Sequence, residues 1–246
     1  NSNLRSAIES AMEGRVYAAP LSGNNRESVQ TADLDGDGKE EYLIFTRLTQ
    51  TDALQILLFN QLTDENYQLW EIIDCKGSSF EQVQYASVDN APGSELIVGT
   101  QLNENVTKTV TVYSFATGQS EKIKSMIYVR LLVVDLNQDD RSELMVIQNG
   151  DAVSGNGTVR LYSYRDGSLT GSAEAKLSVL PEFIRRIEVN RLSGGEPAVY
   201  VSSLSMSNSI ETDIFALRDG VFTNIAQASE ASAGVQPVSN YLVYAQ

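Results

Sequence analysis

The chain has 246 residues, 42% of them hydrophobic, which is enough for a packed core, and its 18 Lys and Arg against 32 Asp and Glu leave a formal charge of −14. Such acidity repels phosphate backbones and anionic lipid surfaces, so nucleic-acid binding is excluded. Histidine is absent and cysteine occurs once, at Cys75, which removes Ser–His and Cys–His relays, His- or thiolate-ligated zinc and any intramolecular disulfide. No apolar run approaches the ~18 residues of a membrane span. The opening NSNLRSAIES lacks the basic-then-apolar pattern of an export signal, so the chain is either cytosolic or a product of signal removal.

In chain order, the first predicted element is a helix over residues 3–13, where Leu4, Ala7, Ile8, Ala11 and Met12 recur at helical spacing and Gly14 supplies the stop. It is expected to cover an exposed end or edge. From Ser28 onward the chain repeats. SVQTADLDGDGKEEYLIFT, VQYASVDNAPGSELIVGT, VRLLVVDLNQDDRSELMVIQ and IRRIEVNRLSGGEPAVYVSS each run from an apolar strand through a turn ending in Glu into a second strand. The closing glutamates Glu41, Glu95, Glu143 and Glu196 lie 54, 48 and 53 residues apart, close to one period. Each unit then continues into a hairpin with a Gly-containing turn, at residues 116–118, 165–167 and 218–220 in the last three units.

About four strands per period is the content of one propeller blade. The predicted fold is therefore all-β: a β-propeller of four-stranded antiparallel blades, with a short N-terminal helix. Residues 1–27 form the helix and an extended lead-in, and the blades fall at about 28–80, 81–125, 126–180 and 181–236. Residues 237–246 match the opening strand of a unit, and read either as the start of a fifth blade or as a strand completing an earlier sheet.

Two turns carry the strongest chemistry. In DLDGDGKEE, Asp33, Asp35, Asp37 and Glu41 place oxygen donors at loop positions 1, 3, 5 and 9, and Lys39 at position 7 can add its backbone carbonyl. Alternate spacing lets a curled backbone aim these carboxylates at one point, a hard-oxygen set suited to Ca2+. Position 12 is Ile44, inside a strand, so this is not a helix-loop-helix calcium site. The third unit repeats the pattern with Asp135, Asn137, Asp139 and Glu143, and Arg141 stands where Lys39 stands. There Asp140 replaces the glycine at position 6, which predicts a weaker site. The second and fourth turns lack the carboxylate series and read as plain connections. Trp70, Tyr85, Tyr128 and Phe183 are expected to pack in the core.

These two loops, each followed by a β-rich apolar stretch (YLIFT, LMVIQ), resemble the calcium loops of FG-GAP/VCBS repeats, as in integrin-α-like propellers. The helix and the Pro-Leu-Ser-Gly stretch before DLDGDG resemble secreted VCBS-type lipoproteins of Gram-positive gut bacteria. The resemblance implies Ca2+ as cofactor and an extracellular, cell-surface location, with a lipid anchor upstream of the helix. It also implies a non-catalytic adhesion module whose partner is a protein or glycan. The alternatives are a structural envelope scaffold without a specific ligand and, less favoured, a carbohydrate-active propeller enzyme.

Overall fold

The segment EYLIFTRL at residues 41–48 is apolar at odd and even positions alike, the pattern of a strand buried on both faces. The computed structural model, which describes residues 2–103, 108–150, 153 and 155–227, builds such strands into four antiparallel sheets among the described residues. The expected strand over 237–246, and the end of the fourth unit from 228, lie outside the described residues. The chain divides into two compact units, residues 1–128 with 164–169, and residues 129–163 with 170–246.

In the first unit, helix α1 (Ser2–Ala11) precedes β1 (Arg15–Tyr17), β2 (Val29–Ala32), β3 (Glu41–Leu48), β4 (Leu54–Thr63) and β5 (Asn66–Cys75), which form one sheet. The second sheet is the meander β6 (Ser79–Ala86), β7 (Glu95–Gln101), β8 (Lys108–Ser114) and β9 (Glu121–Tyr128). Leu43 and Phe45 of β3, with Ile56 and Leu58 of β4, pack against Phe80, Val98 and Phe115 in a core between the two sheets. Phe45 and Phe80 meet edge to face with centroids 5.1 Å apart. Ile44, Leu57 and Phe59 point to the opposite face, and Ile8 of α1 buries itself against them. The helix forms as its spacing predicts, and the surface it covers is a sheet face, where an exposed end or edge is the expectation from sequence. Its last turn is tied by the Arg15 guanidinium, which donates to the Ala11 carbonyl at 2.8 Å.

One strand was not legible. β1 lies in the expected lead-in and shares the edge of β3 with β2: Arg15–Tyr17 pair with Leu48–Thr46, and Val29–Ala32 pair with Ile44–Glu41. Three residues are too few to show a period. Between β1 and β2 the chain leaves this sheet and crosses to β6, where the Leu21 and Ser22 amides donate to the Phe80 and Glu81 carbonyls at 3.1 and 2.8 Å. The Asn25 side chain adds a bond to the Val83 carbonyl at 3.0 Å. The Ser22 hydroxyl donates to the buried Glu81 carboxylate at 2.5 Å, which the Tyr128 hydroxyl also meets. Burial alone would raise the Glu81 pKa, but these hydroxyls, with help from the Lys108 ammonium and Gln82, outweigh it and hold the group below the usual range.

The second unit contains β10 (Arg130–Val134), β11 (Glu143–Gln148), most of β12 (Thr158–Arg165), the end of β13 (Ser168–Gly171) and β14 (Ala175–Lys176), strands of one sheet. The other is β15 (Ile184–Arg191), β16 (Pro197–Leu204), β17 (Ile210–Arg218) and β18 (Val221–Asn224). Met145, Ile147 and Leu161 face Val199, Val201 and Phe215 in a second core. On the far face of the last sheet, Tyr200 and Ile214 pack with Ile225 and Ala226. The hairpin turns take the backbone their sequences predict: Asp166 and Gly167 have φ of 50° and 83°, and Asp219 and Gly220 have 52° and 76°. Two successive residues at positive φ match the twist of a two-residue hairpin.

Candidate metal centre

The connections between the first two strands of three units have one length. Ala32 pairs with Glu41, Ala86 with Glu95 and Val134 with Glu143, so each encloses eight residues. In the first connection Gly36 and Gly38 have φ of 76° and 86°; in the third, Gln138 and Asp140 occupy the same two positions at 60° and 65°. The left-handed steps that curl the loop are thus kept without glycine, at a cost of about 1 kcal/mol or more each for a residue with a Cβ.

The curl brings carboxylates together. One oxygen from each of Asp33, Asp35 and Asp37 lies within 4.8 Å of the others, and the same holds for Asp135, Asp139 and Glu143. Loop amides hold them in place. Asp33 accepts from Gly36 N at 2.8 Å and Gly38 N at 3.0 Å, Asp35 from Asp37 N at 3.0 Å, and Asp37 from Lys39 N at 2.8 Å. In the third unit Asp135 accepts from Asp139 N and Asp140 N, while Asn137 accepts from Asp139 N at 3.0 Å. A carboxylate offers about four lone-pair sites, so these bonds leave capacity for a cation. Like charges at this spacing repel by between about 1 and 3.5 kcal/mol per pair, from the aqueous to the protein-surface limit. Both clusters are oxygen-only sets able to hold a hard metal ion.

The loops differ in two ways. Arg141 turns its guanidinium onto Asp139 Oδ2 at 2.9 Å, placing a positive charge at the second cluster. Glu143 contributes to its cluster, whereas Glu41 stands outside the Asp33 trio and accepts from Leu34 N at 2.8 Å. The repeated glutamate has a role that sequence reading missed. Glu41, Glu95 and Glu143 are all buried, and each accepts from an amide seven residues back: Leu34, Val88 or Leu136. Burial pushes all three carboxyls up to about 7, against the lowering effect of these bonds. The apolar residue recurring seven places before each Glu was the available signal.

The second connection lacks a carboxylate cluster and is held by hydrogen bonds. Asp89, at the position of Asp35, is buried; it accepts from Ala91 N at 2.7 Å and from the Ser114 hydroxyl at 2.6 Å. This connection braces the first. Ser94 N donates to the Asp33 carbonyl at 2.9 Å, and a Cβ on Gly36 would stand 2.4 Å from the Pro92 Cβ. A Cβ on Gly93 would stand 2.4 Å from the Leu34 carbonyl oxygen. The fourth connection departs from the rest: Arg191 pairs with Pro197 across five residues, and Glu196 is exposed.

Of the aromatics, Tyr128 is fully buried, Trp70 and Tyr85 pack partly buried on the first core, and Phe183 is half-buried. Cys75 is half-buried beside Tyr113, and burial pushes its thiol up to about 12, the opposite of a nucleophile's shift. No helix among the described residues is long and apolar enough to cross a membrane.

No protein-family model matches this chain, and no curated protein matches it. Among solved structures, the exotype rhamnogalacturonan lyase YesX aligns with a TM-score of 0.42 at 12% identity, over 85% of this chain and 49% of its own. The Bacillus licheniformis rhamnogalacturonan lyase PL11 aligns with a TM-score of 0.43 at 12% identity, over 85% of this chain and 50% of its own. The chain spans about half the length of each.

Proposed function

We propose that this chain is a calcium-binding module of the FG-GAP/VCBS propeller kind, working outside the cell as an adhesion or ligand-binding unit and not as a catalyst. The observation that carries the reading is the pair of eight-residue loops with matched left-handed steps, each gathering three carboxylates. Asp33, Asp35 and Asp37 would hold one ion, with Glu41 behind them and the Lys39 carbonyl adding a donor. Asp135, Asn137, Asp139 and Glu143, with the Arg141 carbonyl, would hold the second, more weakly because the Arg141 guanidinium competes. Hard oxygen ligands and modest affinity suit extracellular calcium levels. A binding role is supported by where the other acids point, since Glu41 and Glu95 bond backbone amides inside their own connections.

Calcium titration by calorimetry on metal-stripped protein tests this, with Asp33→Ala and Asp135→Ala alongside. Two binding events are expected, each lost with its own aspartate. Each site should stabilise the fold by about 2.7 kcal/mol at calcium a hundredfold above its Kd. Absence of heat and of any melting shift at millimolar calcium would sink the metal reading.

A further inference from the structure

The short fourth connection has a consequence for the loop beside it. In the first unit the connection over 87–94 packs on the Asp33 loop, with Gly36 and Gly93 in contact. In the second unit the five-residue turn after Arg191 leaves a cleft of about 610 Å3 beside the Asp135 loop. Asp135, Gln138 and Asp140 line one side, and Asn190, Arg191 and Pro197 line the other. A turn docked as Pro92-Gly93 docks could not fill it, because Gln138 stands where Gly36 stands and carries a side chain.

The lining has unused hydrogen-bonding capacity. The Asp140 carboxylate and the Gln138 amide have no partner among the described residues. Asn190 spends its Oδ1 on Arg191 N at 2.8 Å and keeps its NH2 group. Arg191 gives one N–H to the Gly195 carbonyl at 2.6 Å, leaving the rest of its planar fork. Two amides, a carboxylate and a guanidinium offer donors and acceptors across the cleft, the complement of vicinal hydroxyls that both donate and accept. The volume is that of an ordinary small-ligand site. Charge narrows the class. With calcium in the Asp135 loop, the ion, Arg141 and Arg191 together balance Asp135, Asp139, Asp140 and Glu143 locally, but a chain of formal charge −14 stays acidic with both loops filled, so its field favours neutral sugars over uronate or sulfated ones.

We propose that this cleft binds neutral oligosaccharides through Gln138, Asp140, Asn190 and Arg191. The proposal rests on the binding-module reading above and names its ligand class. Its test is calorimetry and amide-shift NMR on the calcium-loaded chain, with neutral gluco-, manno- and galacto-oligosaccharides as probes and oligogalacturonates as the charged counterpart. At least one neutral probe should bind with Kd below about 10 mM, shifting the amides of residues 138, 140, 190 and 191, while oligogalacturonates bind more weakly. The double variant Asn190→Ala/Arg191→Ala should weaken saccharide binding tenfold or more while the chain still folds and both calcium binding events persist. No neutral binding, shifts confined to other residues, or a preference for oligogalacturonates would overturn the proposal. Calcium binding without saccharide binding removes the cleft alone, and saccharide binding without calcium binding removes the metal reading alone.

Discussion

At the scale of single residues, the buried glutamates decide more than the exposed aspartates. Glu95 has its carboxyl raised to about 7 from 4.5, chiefly by burial. A group raised in the fold favours its neutral form there, so its contribution is complete below pH 4.5 and is lost as pH rises through 7. Over that window the loss is on the order of 3 kcal/mol. Glu95→Gln keeps a neutral acceptor for the Val88 amide, so denaturant midpoints measured from pH 4 to 8 should show a shallower decline than in the parent. Arg141→Ala removes the guanidinium from Asp139 and keeps the backbone carbonyl; calcium affinity at the Asp135 loop should rise several-fold in the same calorimetry. Gly93→Ala meets both a φ of 93° and a backbone oxygen 2.4 Å away, and should destabilise the first unit by about 2 kcal/mol or more. The acidic positions were readable because alternate spacing of like side chains has few other uses. The roles of Glu95 and Gly93 were not, since both depend on contacts that no local pattern records.

At the scale of elements, the repeat made strand content legible: alternation and Asp-Gly turns mark β12–β13 and β17–β18 where the fold has them. Helix α1 was legible too, and its burial assigns it a task. Ile8→Ala should cost about 2–5 kcal/mol by opening a cavity over Ile44 and Leu57, whereas Arg5→Ala, on its exposed face, should change little. Urea midpoints of the two variants would separate packing from helix propensity. What periodicity could not deliver was β1 and the unequal length of the fourth connection. Strand pairing across residues 15–17 and 46–48 is a tertiary choice, and the similar spacing of the four glutamates hides that Glu196 no longer closes an eight-residue loop.

At the scale of the whole chain, each of the two units carries one acidic loop, 33–41 in the first and 135–143 in the second. A ligand that binds only the folded form stabilises the unit that holds it. In Asp135→Ala, calcium should therefore slow amide exchange in β3 and leave β11 unchanged, with the reverse in Asp33→Ala. An ionic-strength-matched sodium control removes the general screening of the −14 charge. The crossing segment between β1 and β2 has a bearing on how the chain survives cutting. Arg26 is exposed within it, yet the residues before it are anchored twice, by α1 and β1 on the first sheet and by Leu21, Ser22 and Asn25 on β6. A tryptic nick after Arg26 would leave a 26-residue peptide held only by non-covalent contacts, so the two fragments would travel together under native conditions and separate in denaturant, making this a natural place to split the protein into complementing halves.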